Sequence, residues 1–233
     1  GPRKNLANTI KWFVEEFHNE NVGLVVKTNV AKNCLMDRHV SFNSLRGIVD
    51  NYPERQCKVY LLHGDMTDAE MHSLYKHNNI DAMLALPHGE GFGLPIWEAA
   101  YSGLPVVATG WSGHLDFLVD EEGREHFYNV AFDLQPVQQE VVWNGVLIKE
   151  SMWAYAREQS AKEKMRLCYN QMTNEETRGT EMIALEQNVK RLHETFSADK
   201  MYDKFVSLIN EAINFNNSEN WLNEISEIIK EYE

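Results

Sequence analysis

Residues 87–117, PHGEGFGLPIWEAAYSGLPVVATGWSGHLDF, decide the fold. The apolar run Ala82–Leu86 ahead of them reads as a buried strand. It stops at Pro87 and enters Gly89-Glu90-Gly91-Phe92-Gly93, which is too rich in glycine for regular structure. Pro95 occupies a first-turn position, where its fixed φ and missing N–H are tolerated, and Gly103 supplies a helix stop. Leu104–Thr109 then resumes as an apolar strand. The unit is strand, glycine loop, helix, strand, which belongs to a parallel sheet covered by helices and predicts an α/β, Rossmann-like chain.

The loop predicts its own chemistry. N–H groups of Phe92, Gly93 and Leu94 lack intrahelical partners at the positive end of the helix, and glycines let a ligand approach the backbone, so the loop suits a phosphate. Glu90 and Glu98 flank it. Carboxylates repel phosphate but accept strong hydrogen bonds from hydroxyls, so the pair makes sense if it addresses sugar on either side of an anion. A nucleotide sugar has that layout. A glycine loop before a helix is common in α/β proteins, and a helix dipole alone favours a nearby glutamate. The combination of both glutamates, the loop and the following strand is what singles out this segment.

At these residues the chain resembles the retaining glycosyltransferases of the GT-B fold, family 4. Their signature is two glutamates with seven residues between, set in E-G-F-G-L-P, and Glu90 to Glu98 reproduces it. Their E-A-x-x-x-G-x-P-V-V is similar to Glu98-Ala99 through Gly103, Pro105, Val106 and Val107. The resemblance implies that Glu90 lies against the donor sugar, that Glu98 binds the ribose, and that the backbone of Gly91, Phe92, Gly93 and Leu94 holds sugar and phosphate. It further implies a lysine from a loop before the first helix reaching the diphosphate. Arg3-Lys4-Asn5 stands there, so Lys4 and, less directly, Arg3 are the candidates, an ordinary solvated basic pair being the alternative. Two departures touch the donor contacts: His88 replaces a common serine, and Asp116 a common glutamate.

The remaining sequence fits around this centre. A formal charge of −13 argues against a broad nucleic-acid or anionic-membrane surface, so any anion site is local. Cys34, Cys57 and Cys168 are odd in number and widely spaced, which suits reduced thiols in a cytoplasmic protein and not a zinc site. No run reaches membrane-span length and no signal peptide is read. Leu6, Ile10, Phe13, Val14 and Phe17 predict a first helix, with no strand before it. Leu24–Val26 and Val59–Leu62 predict strands, Ser41 predicts the cap of a helix between them, and Thr67-Asp68-Ala69-Glu70 predicts a capping box. His63, His72 and His77 are scattered and carry no assignment. Phe127–Leu134 and Val141–Ile148 predict a small hairpin, Ser160-Ala161-Lys162-Glu163 a second capping box, and the chain beyond is helical. Ser218 with Trp221, Leu222, Ile225, Ile228, Ile229 and Tyr232 predicts a terminal amphipathic helix, giving a donor domain over 1–215 and a helix over 216–233.

Taken with the resemblance, the expected chain is the donor-binding, C-terminal half of a GT-B enzyme. It transfers sugar with retention from a nucleoside diphosphate to a hydroxyl acceptor held by an N-terminal half, and needs neither cofactor nor metal; no D-x-D occurs. Glu90 is either a nucleophile or an electrostatic support, the latter favoured. A phosphorylase, a nucleotide-sugar epimerase or a non-catalytic binding module are the alternatives.

Overall fold

The computed structural model describes residues 1–143 and 145–217. Its first compact unit, Gly1–Val189, is an α/β fold of parallel strands flanked by helices. After a short 3₁₀ turn at Pro2–Lys4 come α1 (Leu6–Glu16), β1 (Gly23–Lys27), α2 (Leu35–Val49), β2 (Lys58–Leu62), α3 (Asp68–Tyr75) and β3 (Met83–Ala85). α4 (Leu94–Tyr101), β4 (Val106–Thr109), α5 (Leu115–Leu118) and β5 (Tyr128–Val130) follow. β1 and β2 form one parallel ladder, and β3, β4 and β5 another.

Helices cover both faces. Ile10, Phe13 and Val14 of α1, Leu45 and Val49 of α2, and Met165 and Cys168 of α6 (Glu158–Thr173) share one apolar core with Val26, Val107 and Val130 of the strands. A separate cluster joins Tyr75 and Met71 of α3 to Ala99 of α4, Leu104 and Met83. β4 is buried at all four positions, as a strand enclosed on both faces must be, and its sequence Val-Val-Ala-Thr is correspondingly apolar.

The local signals mostly hold. Thr67 Oγ1 accepts the Glu70 N–H while the Glu70 carboxylate accepts the Thr67 N–H, completing the capping box of α3. Gly103, at φ 90°, ends α4, and the Leu104 N–H returns to the Ala99 carbonyl.

Three expectations are corrected. Ser41 does not cap a helix: α2 begins at Leu35, and Ser41 is buried within it, donating to Asp37. The reason is Asp37, whose carboxylate accepts the N–H groups of Val30, Ala31 and Lys32 at 2.9, 2.6 and 2.8 Å and so fixes the loop that leads into the helix. The hairpin is also different. Phe127–Leu134 divides at Ala131 into β5 and β6 (Phe132–Pro136), and β6 pairs antiparallel with β7 (Met152–Ala156), whereas around Val141–Ile148 there is a 3₁₀ turn and one isolated Trp143–Leu147 bridge. The break arises because Ala131 leaves the sheet for α6: its N–H donates to Ser160 Oγ and its carbonyl accepts from Arg157. That bond also occupies Ser160, so α6 starts earlier, at Glu158 with Arg157 as its flanking residue.

α7 (Glu175–Thr195) runs to the second unit, Lys190 onward, which holds α8 (Ala198–Asn217). α8 exposes Tyr202, Phe205 and Leu208. The contacts divide the chain at Val189 and Lys190, and the expected helix from Ser218 through Tyr232 lies outside the described residues.

Asp37 also accepts from His63 Nε2 at 2.8 Å, and these bonds, led by the loop amides, hold its carboxyl below the usual carboxylate range. A depressed native pKa means stability that is present above the unfolded value of about 4 and lost as the pH falls below it. Asp37→Asn is therefore expected to melt at a lower temperature than the parent at pH 7. The gap should narrow at pH 3 and below, which thermal denaturation followed by circular dichroism would measure.

Candidate functional site

The glycine loop between β3 and α4 is held by backbone, from three directions. His88 donates its N–H to the Arg3 carbonyl at 2.8 Å, and its own carbonyl accepts the Ala154 N–H of β7 at 3.0 Å. Its ring is buried, with Nδ1 2.9 Å from the Ala154 carbonyl, stacked on Trp153 and tilted against Tyr155. Burial lowers its pKa more than the Ala154 contact raises it, so the ring is neutral at pH 7. His88 is thus a tie between the N-terminal turn, the loop and β7.

The third direction is the loop after β4. Ser112 Oγ accepts the Glu90 N–H at 2.6 Å and donates to the Glu90 carbonyl, which also accepts the Gly113 N–H at 3.1 Å. Ser112 takes φ 88°, a region that side chains seldom enter, in making this clamp. Contact is so close that a Cβ on Gly113 would stand 1.6 Å from the Gly91 carbonyl oxygen. Neither Ser112 nor Gly113 was assigned from the sequence. The only signal available was a second glycine segment, Gly110-Trp111-Ser112-Gly113, at the end of the next strand.

With its main chain fixed, Glu90 turns its carboxylate to the N-terminal turn. Lys4 Nζ lies 2.5 Å from Oε1 and an Arg3 guanidinium nitrogen 2.8 Å from Oε2; Arg3 donates to the Gly89 carbonyl as well. The Glu90 side chain is 9% exposed, against 43% and 48% for its partners. Burial pushes its pKa up, but the hydrogen bonds and charges of Lys4 and Arg3 outweigh this and hold it below the usual range, so it is ionised. Arg3, Lys4 and Glu90 therefore form one cluster.

Helix α4 starts beside that cluster. Gly93, at φ 89°, flanks the first turn, and its carbonyl accepts from Ile96 and Trp97. Among the described residues no acceptor meets the N–H groups of Phe92, Gly93 and Leu94, as a helix start requires of a ligand or water. Leu94, rather than Pro95, is the first helical residue. Phe92 is spoken for by packing, its ring meeting Trp97 and Phe117 at 5.7 and 5.0 Å between centroids. Glu98 is exposed and directed to α3, where buried Tyr75 donates its hydroxyl to Oε2 at 3.1 Å. Burial, and then the Glu98 charge, raise the Tyr75 pKa, so the phenol stays protonated. The structure thus brings Arg3, Lys4 and Glu90 into contact and holds Glu98 by a different partner. His114 is fully buried beneath Gly93, with Nε2 2.7 Å from the Thr109 carbonyl and Nδ1 unpartnered among the described residues. Asp116 lies in the first turn of α5 and takes no part in the cluster.

Residues 54–131, about a third of the chain, match the family described as glycosyl transferases group 1. No curated protein matches the chain. Among solved structures, the GtfA/B complex is 14% identical, covering 83% of this chain and 36% of its own, at a TM-score of 0.38. The catalytic domain of starch synthase IV from Arabidopsis thaliana, bound to ADP and acarbose, is 15% identical, covering 90% and 41%, at 0.42. UGT2 of Phytolacca americana, complexed with UDP-2fluoro-glucose and pterostilbene, is 12% identical, covering 88% and 44%, at 0.33. The chain spans less than half the length of each of these structures.

The clamp discriminates among the glycines. Gly89→Ala and Gly91→Ala are expected to leave stability within about 0.5 kcal/mol, since an added Cβ meets nothing nearer than 3.8 Å at the first and nothing within 4 Å at the second. Gly113→Ala must displace the loop, and Ser112→Ala, which strands the Glu90 N–H, should cost about 1–2 kcal/mol. Urea unfolding of the four variants would measure the order.

Proposed function

We propose that this chain is the donor-binding part of a retaining, family-4-type glycosyltransferase that takes sugar from a nucleoside-diphosphate sugar. The observation that carries the reading is the cluster of Arg3, Lys4 and Glu90 beside the open amides at the start of α4. A match to glycosyl transferases group 1 over the loop itself supports it.

On this reading the donor enters by ion exchange. Lys4 and Arg3 are about half exposed and free to turn to an anion, but Glu90 is 9% exposed, so parting them is offset only by the bonds that the diphosphate makes to both cations. The diphosphate takes both cations, with the amides of Phe92, Gly93 and Leu94 at its other oxygens. Glu90, released but fixed in its backbone, then faces the sugar, and Glu98, oriented by Tyr75, accepts from the ribose. As the bond to the sugar breaks, negative charge grows on the leaving diphosphate. The helix start, Arg3 and Lys4 stabilise that charge without a metal, while the Glu90 carboxylate stabilises the developing positive charge on the anomeric carbon from the other side. The acceptor hydroxyl is supplied by a further, N-terminal half. A nucleotide-sugar epimerase would use the same loop, and incubating the full-length protein with donor alone separates the two, because only an epimerase isomerises it.

The test is calorimetry against UDP, GDP, ADP and dTDP. One of the four is expected to bind, Lys4→Ala to weaken it about tenfold or more, and Glu90→Gln to strengthen it by freeing both cations, while transfer by the full-length Glu90→Gln protein falls. Glu98→Ala should weaken the nucleotide but leave inorganic pyrophosphate unaffected. No binding of any of the four by parent or Glu90→Gln would overturn the proposal.

A further inference from the structure

The loop after β4 serves more than the clamp. Ser112 and Gly113 hold Glu90, whereas Gly110, at the start of the same loop, lines a cavity of about 470 Å³ that shares no residue with the Arg3, Lys4 and Glu90 cluster. Its other walls are Glu125, Asn129 of β5, Phe132 of β6, and Arg157 and Lys164 at the start of α6. The volume falls within the roughly 300–1,000 Å³ of small-molecule sites.

The fold accounts for part of this lining. Arg157 grips Asp133 with Nε and Nη2, which fastens β6 to the start of α6, and Asn129 Nδ2 donates to Glu125 Oε1. Left over are two donors, Arg157 Nη1 and Lys164 Nζ, and two acceptors, Glu125 Oε2 and Asn129 Oδ1, none of which has a protein partner among the described residues. All four lie on residues of one opening, where water now meets them and a ligand can replace it. Gly110 makes the room: a Cβ there would stand 2.0 Å from Asn129 Oδ1, so a larger residue pushes the amide out of the wall. The apolar part is aromatic. The Phe132 ring meets that of exposed Trp111 at 5.4 Å between centroids, tilted by 51°.

Charge narrows the ligand. Arg157 and Asp133 cancel, and Lys164 and Glu125 carry opposite signs in the same opening. A phosphate or carboxylate drawn to Lys164 meets Glu125, and an ammonium drawn to Glu125 meets Lys164, so either ion is set against a like charge. A neutral molecule with several hydroxyls meets neither. Each hydroxyl donates and accepts, as these walls require, and a C–H face suits the aromatic pair. A pyranose ring divides its surface in this way.

We propose that this cavity binds a neutral saccharide, with one ring against Phe132 and Trp111 and its hydroxyls on Glu125, Asn129, Arg157 and Lys164. The opening to solvent suits a ring within a longer glycan. Trp111 adjoins Ser112, so the glycan is held one residue from the clamp on Glu90, in the same loop. The site is distinct from the donor loop and does not rest on the donor reading.

NMR titration of the chain tests this, with maltotriose, cellotriose, mannotriose and triacetylchitotriose as probes and inorganic phosphate and glucuronate as charged controls. At least one trisaccharide is expected to shift the Trp111 indole and the Gly110 and Asn129 amides saturably, at roughly millimolar concentration. Gly110→Ala and Lys164→Ala should each weaken it about fivefold, the net worth of one hydrogen bond, and lower the melting temperature by no more than about 4 °C. UDP, GDP, ADP and dTDP are expected to move none of these signals, so failure of the donor reading and failure of this one appear at different residues. No response to any of the four trisaccharides overturns the proposal. An equal response to phosphate or glucuronate also overturns it, by making the cavity an anion site, as does a response confined to the amides of Glu90 to Leu94 or an affinity unchanged in both variants.

Discussion

Two turns of main chain meet here with no room for a methyl group between them. The carbonyls of Glu90 and Gly91 face the N–H and Cα of Gly113, and a hydroxyl from Ser112 closes both polar groups of Glu90 in one ring of hydrogen bonds. Everything proposed for the site depends on that contact. It sets the direction of the Glu90 side chain, holds the entry into α4, and does so at the carboxyl ends of two adjacent strands, β3 and β4, whose pairing brings the turns together. A hydroxyl serving as donor and acceptor to the same residue also explains the unusual φ of Ser112, since the strain is the cost of reaching both groups at once.

What could be read from the sequence was what repeats locally. The strand, loop, helix and strand around Glu90 follow from an apolar run, a glycine cluster, a first-turn proline and a stopping glycine, each within a few residues of the feature it controls. The Thr67 capping box was legible for the same reason. Asp37 and Ser160 were not, because their partners are set by the folded chain: Asp37 collects amides from a loop that has no pattern of its own, and Ser160 bonds Ala131, a residue 29 positions earlier. A serine with a glutamate three residues on looks like a cap until a distant N–H claims it. The apolar alternation of 141–148 misled in the same way, since a partner strand, not alternation, decides whether a run pairs, and β7 offers β6 the better register.

Within the site, residue types were legible and pairings were not. Arg3 and Lys4 were assigned to an anion and Glu90 to a sugar. That Glu90 pairs with both cations was invisible in a sequence that places Lys4 86 positions before it. Two cations left alone would be drawn to the many surface carboxylates, and a buried carboxylate left alone would take up a proton. Holding each other, they keep both the cations and the ionised acid where they are.

Tyr75 has a consequence of its own. Its phenol comes from α3 and engages one oxygen of Glu98, leaving Oε1 as the acceptor that a ligand can reach. A carboxylate with both oxygens open grips a vicinal diol in two-pronged fashion and tolerates either orientation; one already half engaged offers a single lone-pair direction. On the proposed reading, in which Glu98 accepts from a ribose, the neighbouring helix acts as a template, narrowing the poses of the furanose ring without forming any bond to it.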